Sequence, residues 1–169
     1  MAALHRAYYR SPIGIIEIVG NEQGLQAVNF VARKPRGGSR TDPSLAPAVA
    51  QLDEYFRGRR QEFSLPLFLE GTEFQKKAWR LLAAIPFGET ATYAEVAAAI
   101  GRPKAGRAVG QANHRNPISI IIPCHRVIGG AGQLVGYGSG LWRKRWLLDH
   151  ERTVAGGKDR AGRKRRVAK

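Results

Sequence analysis

Residues 72–114 read TEFQKKAWRLLAAIPFGETATYAEVAAAIGRPKAGRAVGQANH, and the order of starts and stops in this stretch decides the architecture. Thr72, with Gln75 three residues on, forms a capping box. Phe74, Ala78, Leu81, Leu82 and Ile85 then fall on one helical stripe until Pro86 ends it. Thr92 and Glu95 repeat the device ahead of Val96 and Ile100, and Gly101 stops that second helix. After the Arg102-Pro103 break, residues 104–114 predict a third helix, rich in small residues and carrying Arg107 and Gln111. Two short helices across a glycine-containing turn form the helix-turn-helix pattern.

Outward to the N-terminus the periodicity changes. Residues 4–10, 15–19 and 25–31 read as strands, separated by turns at Ser11-Pro12-Ile13-Gly14 and Asn21-Glu22-Gln23-Gly24, which predicts an antiparallel meander. A polar, basic loop over 33–40 follows. Asp42-Pro43 then opens a helix with Leu45, Val49, Leu52 and Phe56 on one face. Outward to the C-terminus, the apolar run 118–122 reads as a buried strand-like piece. A glycine-rich loop over 129–140 leads to a last helix, capped by Ser139, with Leu141, Trp142, Trp146 and Leu148 as its core face and Asp149-His150-Glu151 at its close. The fold class is therefore α+β, with an N-terminal unit at 1–70, a helical unit at 71–153, and a disordered basic tail at 154–169.

Composition sets limits on function. In 169 residues there are 28 Lys plus Arg against 13 Asp plus Glu, a net charge of +15. The segment from Arg152 onward holds eight basic residues against one Asp, which leaves 20 against 12 in the body. A body that is basic without its tail favours a polyanionic partner, because each neutralised phosphate releases condensed counterions. The tail is expected to add nonspecific affinity for DNA. With one cysteine, Cys124, an intramolecular disulfide, a CxxC redox pair and a cysteine-rich zinc module are all excluded. A lone thiol also suits a reducing compartment. The sequence has no uninterrupted apolar run of membrane-spanning length, and residues 1–11 carry His5, Arg6 and Arg10 where a signal peptide would be apolar.

Cys124 lies between Pro123 and His125, just past the most apolar run. A lone cysteine in such company is ordinarily inert core filling. Here Pro123 forces a turn that turns the thiol toward a cavity. His125, Arg126 and the basic body favour the thiolate, and Glu151 offers a carboxylate to orient the histidine. Such a Cys-His-Glu set suits a nucleophile, and on its own it equally suits a thiol hydrolase.

The resemblance that separates these readings is carried by six ordered blocks: Thr92-Tyr93-Ala94-Glu95, residues 103–110 (PKAGRAVG), Asn116-Pro117, residues 122–127 (IPCHRV), Gly136-Tyr137, and residues 146–151 (WLLDHE). In order and spacing they resemble the O6-alkylguanine-DNA alkyltransferases, closely over 71–151 and loosely over the meander before it. The resemblance implies an RNase H-like N-terminal unit and a winged-helix-like C-terminal unit. The implied activity is direct, single-turnover repair without metal or cofactor. Cys124 would accept the alkyl group, with His125 (through a water) and Glu151 activating the thiol, Asn116 bracing the active-site turn, and Tyr93 donating a hydrogen bond to the leaving base. Tyr137 would wall the pocket, with backbone groups near Val135 to Ser139 contacting the base, and Val127 and Ser139 would be among the substrate-binding residues. Arg107 would fill the stack vacated by a flipped nucleotide as the small-residue helix, with Ala105, Gly110 and Gln111, enters the minor groove of double-stranded DNA.

The resemblance further implies a monomer, with cooperative binding along DNA open, in the cytoplasm or, in a bacterium, on the nucleoid. The N-terminal zinc cysteines of some relatives are absent, as is the cysteine-rich domain of the adaptive-response regulators. Cys124 separates the chain from lesion-sensing relatives that lack the acceptor. A sensor without transfer and a thiol hydrolase stand as the alternatives.

Overall fold

A computed structural model describes residues 3–36 and 41–157. The chain divides into two compact units, one of Met1–Glu70 with Pro117–Ile121 and the other of Gly71–Asn116 with Ile122–Lys169.

In the first unit, β1 (His5–Ser11), β2 (Gly14–Asn21) and β3 (Gly24–Val31) form an antiparallel sheet in that order. Alternation buries Ala7, Ile16, Ile18 and Val28 on one face. Opposite them, register pairs such as Tyr8 with Glu17 join across the strands, the phenol donating to the carboxylate at 2.6 Å. The free edge of β3 is partly covered: Leu25 bonds Pro66 and Phe68, and Val28 bonds Pro117 and Ser119, all at 2.8–2.9 Å. This uses polar groups that an exposed edge would offer to other chains.

Helix α1 (Ala46–Phe56) is preceded by a 3-10 turn at Pro43–Leu45, capped by the Asp42 side chain. That turn shifts the phase of the apolar stripe. A 3-10 turn takes three residues, so Leu45, Ala48, Leu52, Tyr55 and Phe56 are buried, and the expected Val49 is only half-buried.

In the second unit, α2 (Glu73–Ala83) and α3 (Tyr93–Ile100) start at the two expected capping boxes, both formed reciprocally. Gly101, at φ 89°, closes α3 in the left-handed conformation that glycine adopts without penalty. Helix α4 (Gly106–His114) follows. Trp79, outside the predicted stripe of α2, is buried and donates its indole N–H to the Ala112 carbonyl at 2.9 Å, which ties α2 to α4. A short parallel pair, β4 (Ala91–Thr92) with β5 (Val127–Ile128), fixes the start of α3 beside the segment that carries Cys124.

Two expectations are corrected. Residues 118–122 are not a strand: only Ile118 bridges, and the chain then turns at Ile120, whose φ is 73°. The bond from Ile121 N–H to the Ser119 carbonyl, 2.8 Å, makes this a γ-turn. A β-branched residue pays about 1–3 kcal/mol of strain there.

The last helix, α5 (Leu141–Gly157), neither closes at Glu151 nor buries the expected face. Leu141 and Trp142 are exposed and Trp146 is half-buried. The inner stripe is Lys144, Leu147, Leu148, Glu151 and Ala155, and its two charged members hid it from hydrophobic periodicity. Ala155 is buried against Gly88, so the expected disordered tail from 154 begins instead as helix. The rest of that tail, 158–169, and residues 37–40 of the basic loop lie outside the described residues.

Candidate active site

Cys124 is delivered by a second tight turn. Pro123 sits at φ −82°, ψ 65°, and the Cys124 N–H bonds the Ile122 carbonyl at 2.8 Å, an inverse γ-turn that leads into a 3-10 turn over Cys124–Arg126. The Asn116 side-chain amide donates to the same Ile122 carbonyl at 2.8 Å, and the Asn116 side chain also hydrogen-bonds the thiol. Both Asn116 and Cys124 are buried, so this asparagine holds the turn and its nucleophile together.

His125 and Glu151 are fully buried, with His125 Nε2 2.6 Å from Glu151 Oε2. The rest of the carboxylate is engaged by Arg126, whose Nε lies 2.7 Å from Oε1 and whose Nη2 lies 3.1 Å from Oε2. The third guanidinium nitrogen donates to the Ile85 carbonyl at 2.6 Å. Gly88, at φ 80°, adds a backbone N–H 3.4 Å from Oε1 and leaves room for Ala155, toward which a Cβ would come within 2.9 Å.

Burial alone would raise the Glu151 pKa. His125 and Arg126 more than reverse this, so the group is held well below the ordinary carboxylate range. Burial lowers the His125 pKa and outweighs the pull of Glu151. The resting pair is thus a neutral imidazole donating from Nε2 to an ionised carboxylate. That leaves Nδ1 as a buried acceptor with no protein partner.

The thiolate is not favoured at rest, contrary to the sequence expectation. Burial pushes the Cys124 thiol up, opposed by Asn116, Lys144 and two backbone amides. Arg126 does not contribute, because its charge is spent on Glu151.

The cation that acts on the thiol is Lys144, which sequence reading missed. It is fully buried, donates to the Val135 and Gly136 carbonyls at 3.0 and 3.2 Å, and lies 5.9 Å from the Tyr93 ring centroid. Burial lowers its pKa to about 8. Tyr93 opens α3 and donates its hydroxyl to the same Val135 carbonyl at 2.9 Å. Its phenol is raised, chiefly by burial and then by negative charge at Cys124, which keeps the proton on the oxygen.

The remaining expected residues fall into two groups. Tyr137 and Ser139 lie half-buried on the loop that Lys144 grips, and the Ser139 carbonyl accepts from Arg143 at 2.8 Å. Val127 is fully buried in β5, so its side chain belongs to the core and only its backbone is left to meet a ligand. Arg107 and Gln111 are exposed on α4, and with Gly110, His114 and Arg115 they line a surface cleft of about 520 Å³. Ala105 caps α4 without a side-chain bond.

A helix-turn-helix joined within one unit to a buried thiol and a Cys-His-Glu relay defines a covalent acceptor built on a nucleic-acid-reading scaffold. The chain belongs to the 6-O-methylguanine DNA methyltransferase family: the model of its ribonuclease-like domain matches residues 4–69 and that of its DNA-binding domain matches residues 73–153.

The chain is 50% identical over 153 residues to the methylated-DNA–protein-cysteine methyltransferase of Methanosarcina acetivorans, covering 88% of this chain and 98% of that one. The enzyme of the same name from Mycobacterium leprae is 48% identical over 153 residues, 88% of this chain and 93% of its own. Among solved structures, Mycobacterium tuberculosis O6-methylguanine methyltransferase superposes with a TM-score of 0.80 at 44% identity, over 89% of this chain and 94% of that one. The M. tuberculosis OGT structure in complex with DNA gives 0.79 at 46% identity, over 87% and 93%. The α+β class, with a ribonuclease-like unit ahead of a DNA-binding unit, stands as the sequence implied.

Proposed function

We propose that this protein repairs alkylated DNA by moving the alkyl group from guanine O6 to Cys124 once and irreversibly, with the roles of its side chains as follows. The Cys124 proton passes through one water to Nδ1 of His125, and the imidazolium formed is stabilised by Glu151. Arg126 holds that carboxylate in place. The sulfur attacks the alkyl carbon in line, the carbon–O6 bond breaks, and its electron pair leaves with the guanine. Tyr93 passes its proton to the departing base, which leaves as neutral guanine, and the proton taken up by His125 balances the phenolate until proton exchange restores both groups. Lys144 stabilises negative charge first on sulfur and then near the base. The product is a thioether, whose carbon–sulfur bond is stable to the acid–base chemistry of these groups, so each chain acts once.

O6 of a stacked guanine is out of reach of a buried thiol, so the nucleotide rotates out of the duplex into the pocket. Arg107 is exposed on α4 and is suited to take the vacated place, and the small residues Ala105 and Gly110 let that helix approach the groove. The Val127 backbone, Tyr137 and Ser139 frame the base. No described helix is long and apolar enough to cross a membrane.

The observation that carries this reading is the buried His125 Nδ1 acceptor backed by Glu151, next in sequence to the only cysteine. Incubating limiting protein with excess duplex containing O6-methylguanine tests it. Conversion to guanine should stop at one lesion per chain. Continued turnover would indicate a hydrolase, and tight lesion binding without conversion would indicate a sensor.

A further inference from the structure

The outer face of α5 walls a cleft that the chemistry above does not use. Trp142, Arg145, Asp149 and Arg152 recur at intervals of three and four residues, so they share one side of the helix. With Leu141 beside them and Leu134 opposite, they enclose about 520 Å³, a size within the range of small-ligand clefts. The opposite wall is a tight turn. The Gly129 N–H donates to the Gln133 carbonyl and the Gly132 N–H to the Gly129 carbonyl, both at 2.9 Å.

Trp142 is 57% exposed, yet it is held in place. The Arg143 guanidinium lies 4.4 Å from the indole centroid, and it also donates to the Ser139 carbonyl at 2.8 Å. Arg143 does not line the cleft, whereas Trp142 does, so the indole surface that faces the cleft is left uncovered. A single exposed aromatic residue is ordinary on a protein surface. An ordered one, beside the exposed Leu141 and two exposed arginines, has the parts of a base-stacking platform.

Charge selects the occupant. Arg145 makes no ion pair among the described residues, and Arg152 meets only the exposed Asp149, at 3.5 Å, a pair of little strength in water. The cleft therefore attracts an anion. Residues 158–169 of the same chain hold seven Lys or Arg against one Asp and have the wrong sign to fill it. Arg145 and Arg152 stand two helical turns apart, roughly 10 Å along the axis, so they reach different phosphates of one strand.

We propose that this cleft is a second nucleic-acid site, taking an unpaired nucleotide of a DNA strand with its base on Trp142 and neighbouring phosphates at Arg145 and Arg152. It is separate from the cleft around Arg107 on α4, and it does not depend on alkyl transfer. Stacking needs a base with a free face, so the site separates single strands and gapped DNA from intact duplex. Asp149 repels the phosphates and limits how tightly a strand is held.

The test measures binding of hexathymidylate, short enough for one chain, to the full-length protein by fluorescence anisotropy at fixed salt, beside an undamaged blunt duplex. Trp142→Ala should weaken the hexamer roughly tenfold, the loss of one stacked base, and leave the duplex within about twofold. Arg145→Gln should weaken the hexamer and flatten its salt dependence, while Asp149→Asn should tighten it. A hexamer carrying 5-bromodeoxyuridine should photocrosslink to Trp142, assigned by peptide fragmentation.

Unchanged hexamer affinity in Trp142→Ala, or an equal loss on both DNAs, would overturn the proposal. So would a crosslink at Tyr137 in place of Trp142, which would put the strand in the pocket of Cys124. A loss confined to strands long enough for several chains would also overturn it, because the face would then join copies of the protein. Should Trp142→Ala fail to fold, the exposed Arg145 and Asp149 still decide: their substitutions must shift hexamer affinity in opposite directions, and a shared direction or no shift would overturn it.

Discussion

His125 and Glu151 stand 26 residues apart in the chain, yet Nε2 and Oε2 meet at 2.6 Å with both side chains out of solvent. The same carboxylate receives two nitrogens of the buried Arg126. One glutamate therefore sets the tautomer of the histidine and balances the charge of the arginine, so the chemistry and the stability of the unit share a residue.

Glu151→Gln separates the two duties badly. The amide still reaches His125, but Arg126 is left buried without a counter-charge, a loss of about 3–5 kcal/mol. Denaturant unfolding should show that loss, and adding Arg126→Met should return part of it. Unchanged stability in the single variant would mean that the ion pair is not formed.

The same residues fix the acid limb of stability. Glu151 is depressed in the folded state, so its contribution is present above the unfolded pKa of about 4.3 and lost as pH falls below it. His125 is also depressed, so below about 6.5 the unfolded chain takes up a proton that the folded chain refuses. Both effects have one sign, and stability should decline from near pH 6.5 downward and steepen below pH 4.5. A His125→Asn variant should lose the first part of that decline and keep the second.

Lys144 acts in the opposite pH range. With a folded pKa of about 8 against about 10.4 unfolded, the unfolded chain binds the extra proton between these values, so stability rises with pH there. Comparing wild type with Lys144→Met at pH 7, 8 and 9.5 checks this. The rise should be confined to wild type, and parallel profiles would place the ammonium in water.

Arg107 should behave as a pure DNA-side residue. It is exposed, so Arg107→Ala should leave the melting temperature within about a degree and slow transfer from duplex DNA. Transfer from the free O6-alkylguanine base should be unaffected. Equal loss with both substrates would move Arg107 from the DNA to the chemistry.

Much of this was legible in the chain because it is local. The two capping boxes, the Gly101 stop and the meander turns rest on residues within four positions of one another, and each formed where it was read. What escaped reading depends on distant partners. Lys144 looks like the polar side of α5 until the fold places two carbonyls against it. Ile118 to Ile122 look like a strand because β-branched residues favour one. Pro123 announces its own turn, whereas the γ-turn at Ile120 reveals itself only through its hydrogen bond. Arg126 was recognised as a nearby cation, but its charge was already committed.

The central claim, that Cys124 is the acceptor, is tested most directly by the mass of the protein after reaction with excess duplex containing O6-methylguanine, followed by peptide mapping. The account predicts a gain of one methyl group per chain, located on the peptide that contains Cys124 and absent from Cys124→Ala. An unmodified Cys124 in protein that has bound the lesion, or a methyl group on any other residue, would contradict it.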